Sequence, residues 1–366
     1  MKFKEQIYGM KAYQPGKPIE EVQKEFGLKE VIKLASNENP FGCSPKVKEF
    51  IKNNDINYAI YPDGYAQELR TAVSKHLGVE ENQLLFGSGS DDIIAIISRA
   101  LLYPGVNTVM ADPSFSQYSH NAEIEGAEIR KVPLKDGKHD LEKMFEAIDE
   151  NTSIVWICNP NNPTGTIVAD EELSAFLKKV PKEVLVVLDE AYFEYITDPA
   201  YQDTLHYVEE YPNVIIMRTF SKAYGLAAFR VGYAIGQADV ISKLEPVRAP
   251  FNNTVLSQKV AIVALEDQEF IKETVERTER AKRQYEEFCK KHGLKYYPSQ
   301  TNFILFEVKT DSDVIFQEMM KRGFIVRSGN ALGTPGFIRV SFGTEEQNSK
   351  FLETLEGVLK EQGALV

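Results

Sequence analysis

The sequence predicts an α/β fold: a large domain with a mostly parallel sheet covered by helices, a small α+β C-terminal domain and an N-terminal arm. Three observations carry this. Short, unbroken, β-branched apolar runs alternate with helical segments through the middle of the chain, the pattern of strands buried on both faces. After a long charged helical stretch over 254–291 the pattern changes to strands and helices in a compact unit. The 366 residues exceed what a single ordinary core holds, so two domains are expected.

Taken in order, residues 1–30 carry Pro15 and Pro18 around Gly16 and show little periodicity, which reads as an arm joined to the small domain. The large domain is expected over 31–255, with strands at 108–111, 128–132, 153–158, 184–189, 214–219 and 231–236 and helices between several of them, for example 171–179. A connecting helix is expected over 256–291 and the small domain over 292–366. There, strands are expected at 302–308, 324–327 and 337–342, with helices at 312–322 and 345–362.

Composition excludes several functions. Hydrophobic residues at 43% and charged residues at 26% describe a globular chain rather than a disordered one. Acidic residues outnumber basic ones, 54 to 42, and a net charge of −12 repels a phosphate backbone, so no nucleic-acid partner is expected. No apolar run reaches the roughly 18 residues of a membrane helix, so no membrane partner is expected. The N-terminal MKFKEQIYGMK lacks the apolar region of a secretion signal, and a cytoplasmic location is expected. Cys43, Cys158 and Cys289 stand far apart and the five histidines have no ligand spacing, so neither a disulfide framework nor a metal site is expected.

Five motifs carry chemistry. Phe86-Gly-Ser-Gly-Ser-Asp-Asp92 feeds a helix with apolar Ile93, Ile94, Ile97 and Leu101. Ser90 is the expected N-cap, and free N–H groups at a helix start favour a phosphate, although Asp91 and Asp92 already complement the dipole. The motif matches neither the P-loop nor the dinucleotide fingerprint. Asn159-Pro-Asn-Asn-Pro-Thr-Gly165 follows the strand at 153–158, and loops at the carboxyl ends of α/β strands are where ligands bind. Asp189, in Leu188-Asp-Glu-Ala-Tyr192, ends a buried strand and requires a cation or strong donor.

Lys222 lies between two buried strands, with Thr219 and Ser221 before it and Arg230 eight residues on. A desolvated amine there has a depressed pKa and attacks carbonyls, and the neighbouring hydroxyls and guanidinium suit a phosphorylated aldehyde. Arg327 and Arg339 each interrupt an apolar strand of the small domain, as an anion clamp would.

In this order the motifs resemble the fold-type I pyridoxal-phosphate aminotransferases, and more closely the class II, histidinol-phosphate aminotransferase family. LASNENP, YPDG, NPNNPTG, LDEAYFEY, TFSKAYGLAAFRVGYAIG, IVRSG and IRVSFGT carry the likeness over nearly the whole chain. Ala228 and Phe229 stand where the family more often has Gly and Leu. The resemblance implies a seven-stranded sheet, pyridoxal 5'-phosphate as cofactor, and a homodimer in which Tyr61 reaches the neighbouring subunit's cofactor phosphate.

The resemblance also implies residue roles. Lys222 bonds the cofactor aldehyde and serves as general base and acid. Asp189 keeps the ring nitrogen charged. Asn162 and Tyr192 donate to the ring oxygen, and Tyr118, rather than Phe115, stacks on the ring. Ser90, the backbone of Asp91, Ser221 and Arg230 hold the phosphate. Arg327, Arg339 and Asn162 bind substrate, and Tyr13 in the arm closes over it. Glutamate would give its amino group and leave as 2-oxoglutarate; imidazole-acetol phosphate would accept it and leave as histidinol phosphate. Within the same scaffold, an aromatic-amino-acid aminotransferase and a decarboxylase of the threonine-phosphate type stay open. A cofactor-binding regulator fits poorly, because no DNA-binding helix pair is present.

Overall fold

The computed structural model describes residues 1–12 and 16–365. Among the described residues twelve strands appear in chain order: β1 (Ile32–Lys33), β2 (Leu84–Gly87), β3 (Asn107–Asp112), β4 (Glu128–Pro133), β5 (Thr152–Cys158), β6 (Leu185–Asp189), β7 (Val214–Thr219), β8 (Gly232–Gly236), β9 (Phe303–Glu307), β10 (Phe324–Ile325), β11 (Arg327–Ser328) and β12 (Phe337–Ser341). Seven form one sheet in the order β2-β8-β7-β6-β5-β3-β4. Only β8 runs against its neighbours, β2 and β7; the other pairings are parallel.

Side chains alternate along these strands, so the sheet buries both faces. Val155, Ile157, Val186 and Leu188 enter one core; Ile154, Trp156, Leu185 and Val187 enter the core on the opposite face. The six strands read from sequence are all present, and β2 is the seventh. It is four residues long and runs straight into the glycine-serine turn, so its apolar run was too short to separate from that turn.

The other corrections are local. The expected helix over 254–291 is two helices, Val255–Leu265 and Gln268–His292. At the break, the Asp267 carboxylate accepts from Lys46 Nζ at 3.2 Å. The N-terminal region holds a helix, Ile19–Phe26, whose fully buried Val22 packs with Ala35, Met320 and Ile325. The expected strand at 324–327 divides into β10 and β11. The first pairs with β1, Ile32 opposite Phe324. The second joins the antiparallel sheet β11-β12-β9.

Candidate active site

The parallel strands place their carboxyl ends along one edge of the sheet, where side chains leave the ladder and face open space. A cavity of about 570 Å³ lies there, closed on its far side by the small-domain strands. It is lined by Lys222 and Asp189, by Tyr192 and Asn162, by Ser90, Asp91, Ser221 and Arg230, and by Arg327 and Arg339. Ten residues proposed from the sequence, spread over 250 positions, therefore meet in one space.

Asp189 ends β6 and is 3% exposed. Its Oδ2 accepts from Tyr118 Oη at 2.6 Å and its Oδ1 from the Ala191 N–H at 3.1 Å. Burial pushes its carboxyl up to about 6, against the pull of those two donors. A cationic group in the cavity would reverse that shift. Glu190, next in sequence, belongs elsewhere: its carboxylate pairs with the buried Arg218, 2.9 Å away.

Lys222 follows β7. Its Nζ lies 3.4 Å from the Ser36 carbonyl and 5.7 Å from the centre of the Tyr192 ring. Burial, aided by the nearby Arg339 cation, pushes the amine down to about 8, as a nucleophilic amine requires. Tyr192 Oη accepts from Asn37 Nδ2 at 2.9 Å, leaving its own proton to donate.

The anion cradle is built by close backbone approach. A Cβ on Gly89 would lie 2.4 Å from Arg230 Nη2, and the residue has φ +79°. A Cβ on Gly232 would meet the Gly89 carbonyl carbon and the Ser90 nitrogen at 2.8 Å. Only glycines let the turn lie against β8 with Arg230 over it. Gly89 takes the N-cap position and Ser90 is the first helical residue, a correction to the expected cap. Asp92 closes the turn instead, accepting from the Ser88 N–H at 2.8 Å.

Ser90 Oγ is therefore buried without a hydrogen-bond partner among the described residues, at a helix N-terminus. Arg230 Nη1 reaches Ser221 Oγ at 3.4 Å. Asp91 stands 3.6 Å from Arg230 Nη2, so its charge is offset rather than set against an anion. This cradle fits a phosphate.

Across the cavity, Arg327 and Arg339 are direct partners in the β11–β12 register, so both guanidinium groups leave the same face. Arg339 is 7% exposed. Its Nη1 donates to Asn162 Oδ1 at 2.6 Å and its Nη2 to the Ala35 carbonyl at 2.7 Å. That bond occupies the Asn162 oxygen and leaves its amide N–H₂ to face the cavity. Arg327 is more exposed, on the cavity wall.

Three proposed residues stand elsewhere. Tyr118 is fully buried and stacks on Trp156, ring centres 4.8 Å apart, so its ring is no part of the cavity wall. Phe115 lines the cavity in its place. One turn of chain carries both aromatics, and Trp156 of β5, in the same core, draws Tyr118 under the floor. Tyr61 is 78% exposed, stacked on Phe251, and does not line this chain's cavity. Tyr13 lies outside the described residues.

One residue without an expected role is central. Asn37, with φ +56°, donates to Tyr192 and accepts from Ser341 Oγ at 2.8 Å, while its carbonyl accepts from Asn302. Its only sequence signal was the polar cluster Ser-Asn-Glu-Asn-Pro.

A reactive amine, a buried acid and a phosphate cradle on a doubly covered parallel sheet define an aminotransferase-type site. The chain belongs to the aminotransferase class I and II family, which matches residues 29–355. It is 70% identical to histidinol-phosphate aminotransferase of Lysinibacillus sphaericus over 99% of both chains. With the enzyme of the same name from Geobacillus thermodenitrificans it shares 57% identity, again over 99% of both. A crystal structure of histidinol-phosphate aminotransferase from Sinorhizobium meliloti in complex with pyridoxal-5'-phosphate superposes with TM-score 0.89 and 28% identity, covering 98% of each chain.

Proposed function

We propose that this chain is a pyridoxal 5'-phosphate-dependent aminotransferase that moves an amino group from glutamate to imidazole-acetol phosphate, releasing 2-oxoglutarate and histidinol phosphate. One observation carries the reading. The Lys222 amine and the Asp189 carboxylate, at the ends of neighbouring strands, face the same cavity as the phosphate cradle and the paired arginines. The names of the relatives at 70% and 57% identity support the substrate.

When bound, pyridoxal 5'-phosphate supplies an aldehyde that accepts an amine and a cationic ring that draws electrons from the substrate. Ser90, Ser221 and Arg230 would hold the phosphate, and Asp189 would serve the ring nitrogen. The amide N–H₂ of Asn162 and the hydroxyl of Tyr192 would donate to the ring oxygen, and Phe115 would cover the ring. Lys222 Nζ, its proton affinity lowered by burial, would take the proton from the amine-bearing carbon of the substrate and deliver it to the carbon that had been the cofactor's aldehyde, the reverse transfer serving the second half of the reaction. Arg327 and Arg339 receive either the glutamate carboxylate or the substrate phosphate, since both anions accept a guanidinium fork.

The molecule acts as a homodimer in this reading. Tyr58, Ile60, Tyr61 and Tyr65 lie within eight residues and are all strongly exposed, an apolar patch suited to a second copy. Tyr61 then completes the phosphate cradle of the neighbouring subunit. The inferred setting is the cytoplasm, in keeping with three free thiols.

The test is spectroscopic. The loaded enzyme should lose its long-wavelength cofactor band with glutamate, the absorbance moving to shorter wavelength, and regain it with imidazole-acetol phosphate. Lys222→Ala should abolish both changes. A loaded protein whose spectrum ignores both compounds would overturn the proposal.

A further inference from the structure

We infer that Tyr118 is a positioning residue: its hydroxyl, fixed by a buried aromatic stack, holds the Asp189 carboxylate in the orientation that receives the cofactor's ring nitrogen. The inference rests on the role proposed above for Asp189.

The Tyr118 ring has no exposed surface and lies nearly parallel to Trp156, at 10°. Phe115 meets its edge at 5.6 Å. Trp156 is itself anchored, since Nε1 donates to Thr108 Oγ1 at 3.0 Å and that hydroxyl donates to the Ile154 carbonyl at 2.9 Å. The phenol cannot swing without breaking this packing, so its oxygen is a fixed point. From there it donates to Asp189 Oδ2 at 2.6 Å, within the short range of bonds to an ionised acceptor.

The Ala191 N–H holds the other oxygen. Two donors on two oxygens define the plane of the carboxylate, and its unused lone pairs are left for the cavity. Cys158, directly opposite Asp189 in the register, donates its Sγ–H to the Pro160 carbonyl at 3.4 Å and also lies beside the Tyr118 hydroxyl. Burial disfavours the charged form of Asp189, and the phenol opposes that effect before any cationic ring arrives. Packing alone does not require the hydroxyl, because phenylalanine would fill the same stack.

The experiment is a binding cycle on cofactor-stripped enzyme. Tyr118→Phe, Asp189→Asn and the double variant are titrated with pyridoxal 5'-phosphate and with an analogue carrying carbon in place of the ring nitrogen. Tyr118→Phe is expected to weaken the natural cofactor about tenfold. It should leave the carbon analogue within about twofold, and add no more than about twofold in the Asp189→Asn background. Equal losses for both ligands, additive losses in the double variant, or no loss at all would overturn the proposal. Should Asp189→Asn bind the natural cofactor as tightly as the parent enzyme, the role of Asp189 falls and this inference with it, a result separable from failure of Tyr118 alone.

Discussion

The two walls of the cavity are built differently. The floor hangs from the ends of parallel strands and is buried: Asp189 is 3% exposed and braced by Tyr118 and a backbone N–H. The facing wall comes from the small antiparallel sheet, where Arg327 and Arg339 stand side by side and differ in exposure. A rigid, desolvated floor suits a group that stays in place, while a charged wall on a separate sheet suits anions that come and go. In the proposed reading the cofactor contacts and the substrate contacts are thus divided between two sheets.

That division is open to direct challenge. Removing the acid from the floor should be most damaging. Asp189→Ala is expected to lower kcat/KM by on the order of 10³-fold for every amino donor alike, by loss of a preorganised charge. A substrate-dependent loss would show that the floor also selects substrate.

On the opposite wall, Arg339→Ala should cost about 10²-fold in kcat/KM for both glutamate and histidinol phosphate, because it removes charge-assisted bonds and releases Asn162. Arg327→Ala, at a more solvated site, should raise KM for histidinol phosphate about tenfold and leave phenylalanine within about twofold. Steady-state kinetics on the three compounds separates these outcomes; equal effects of the two substitutions would erase the difference drawn between the arginines.

The smallest effect concerns pH. The Lys222 amine is lowered to about 8, so its neutral, reactive fraction grows as pH rises and saturates above that value. The rate of covalent cofactor attachment to stripped enzyme should climb about tenfold per unit below pH 8 and then level off. A flat profile between pH 6 and 9 would place the control of reactivity elsewhere.

The floor was largely legible in the sequence. Asp189 ends, and Lys222 closely follows, a run too apolar to be surface, so a polar residue there needed a reason. The six longer strands were legible from the same runs, whereas β2, four residues long, was not. Choosing between Phe115 and Tyr118 depended on Trp156, some forty positions away on β5, and no local pattern encodes that stack. Asn37 was equally hidden, because its partners Tyr192 and Ser341 lie 155 and 304 residues away. The helix Ile19–Phe26 was masked by the prolines before it.

The reversal at β8 has one more consequence. Thr219 faces Gly232 across the β7–β8 pair, and the Phe220 N–H donates to the Val231 carbonyl, so residues 220–231 form a loop clamped at its neck. Lys222 sits on its outgoing limb and Arg230 on its returning limb. In the roles proposed for Lys222 and Arg230 the loop is a calliper: its contour length would set how far the reacting end of the bound molecule stands from its anchored end. An added or deleted residue between them would spare the sheet yet put the two jaws out of gauge.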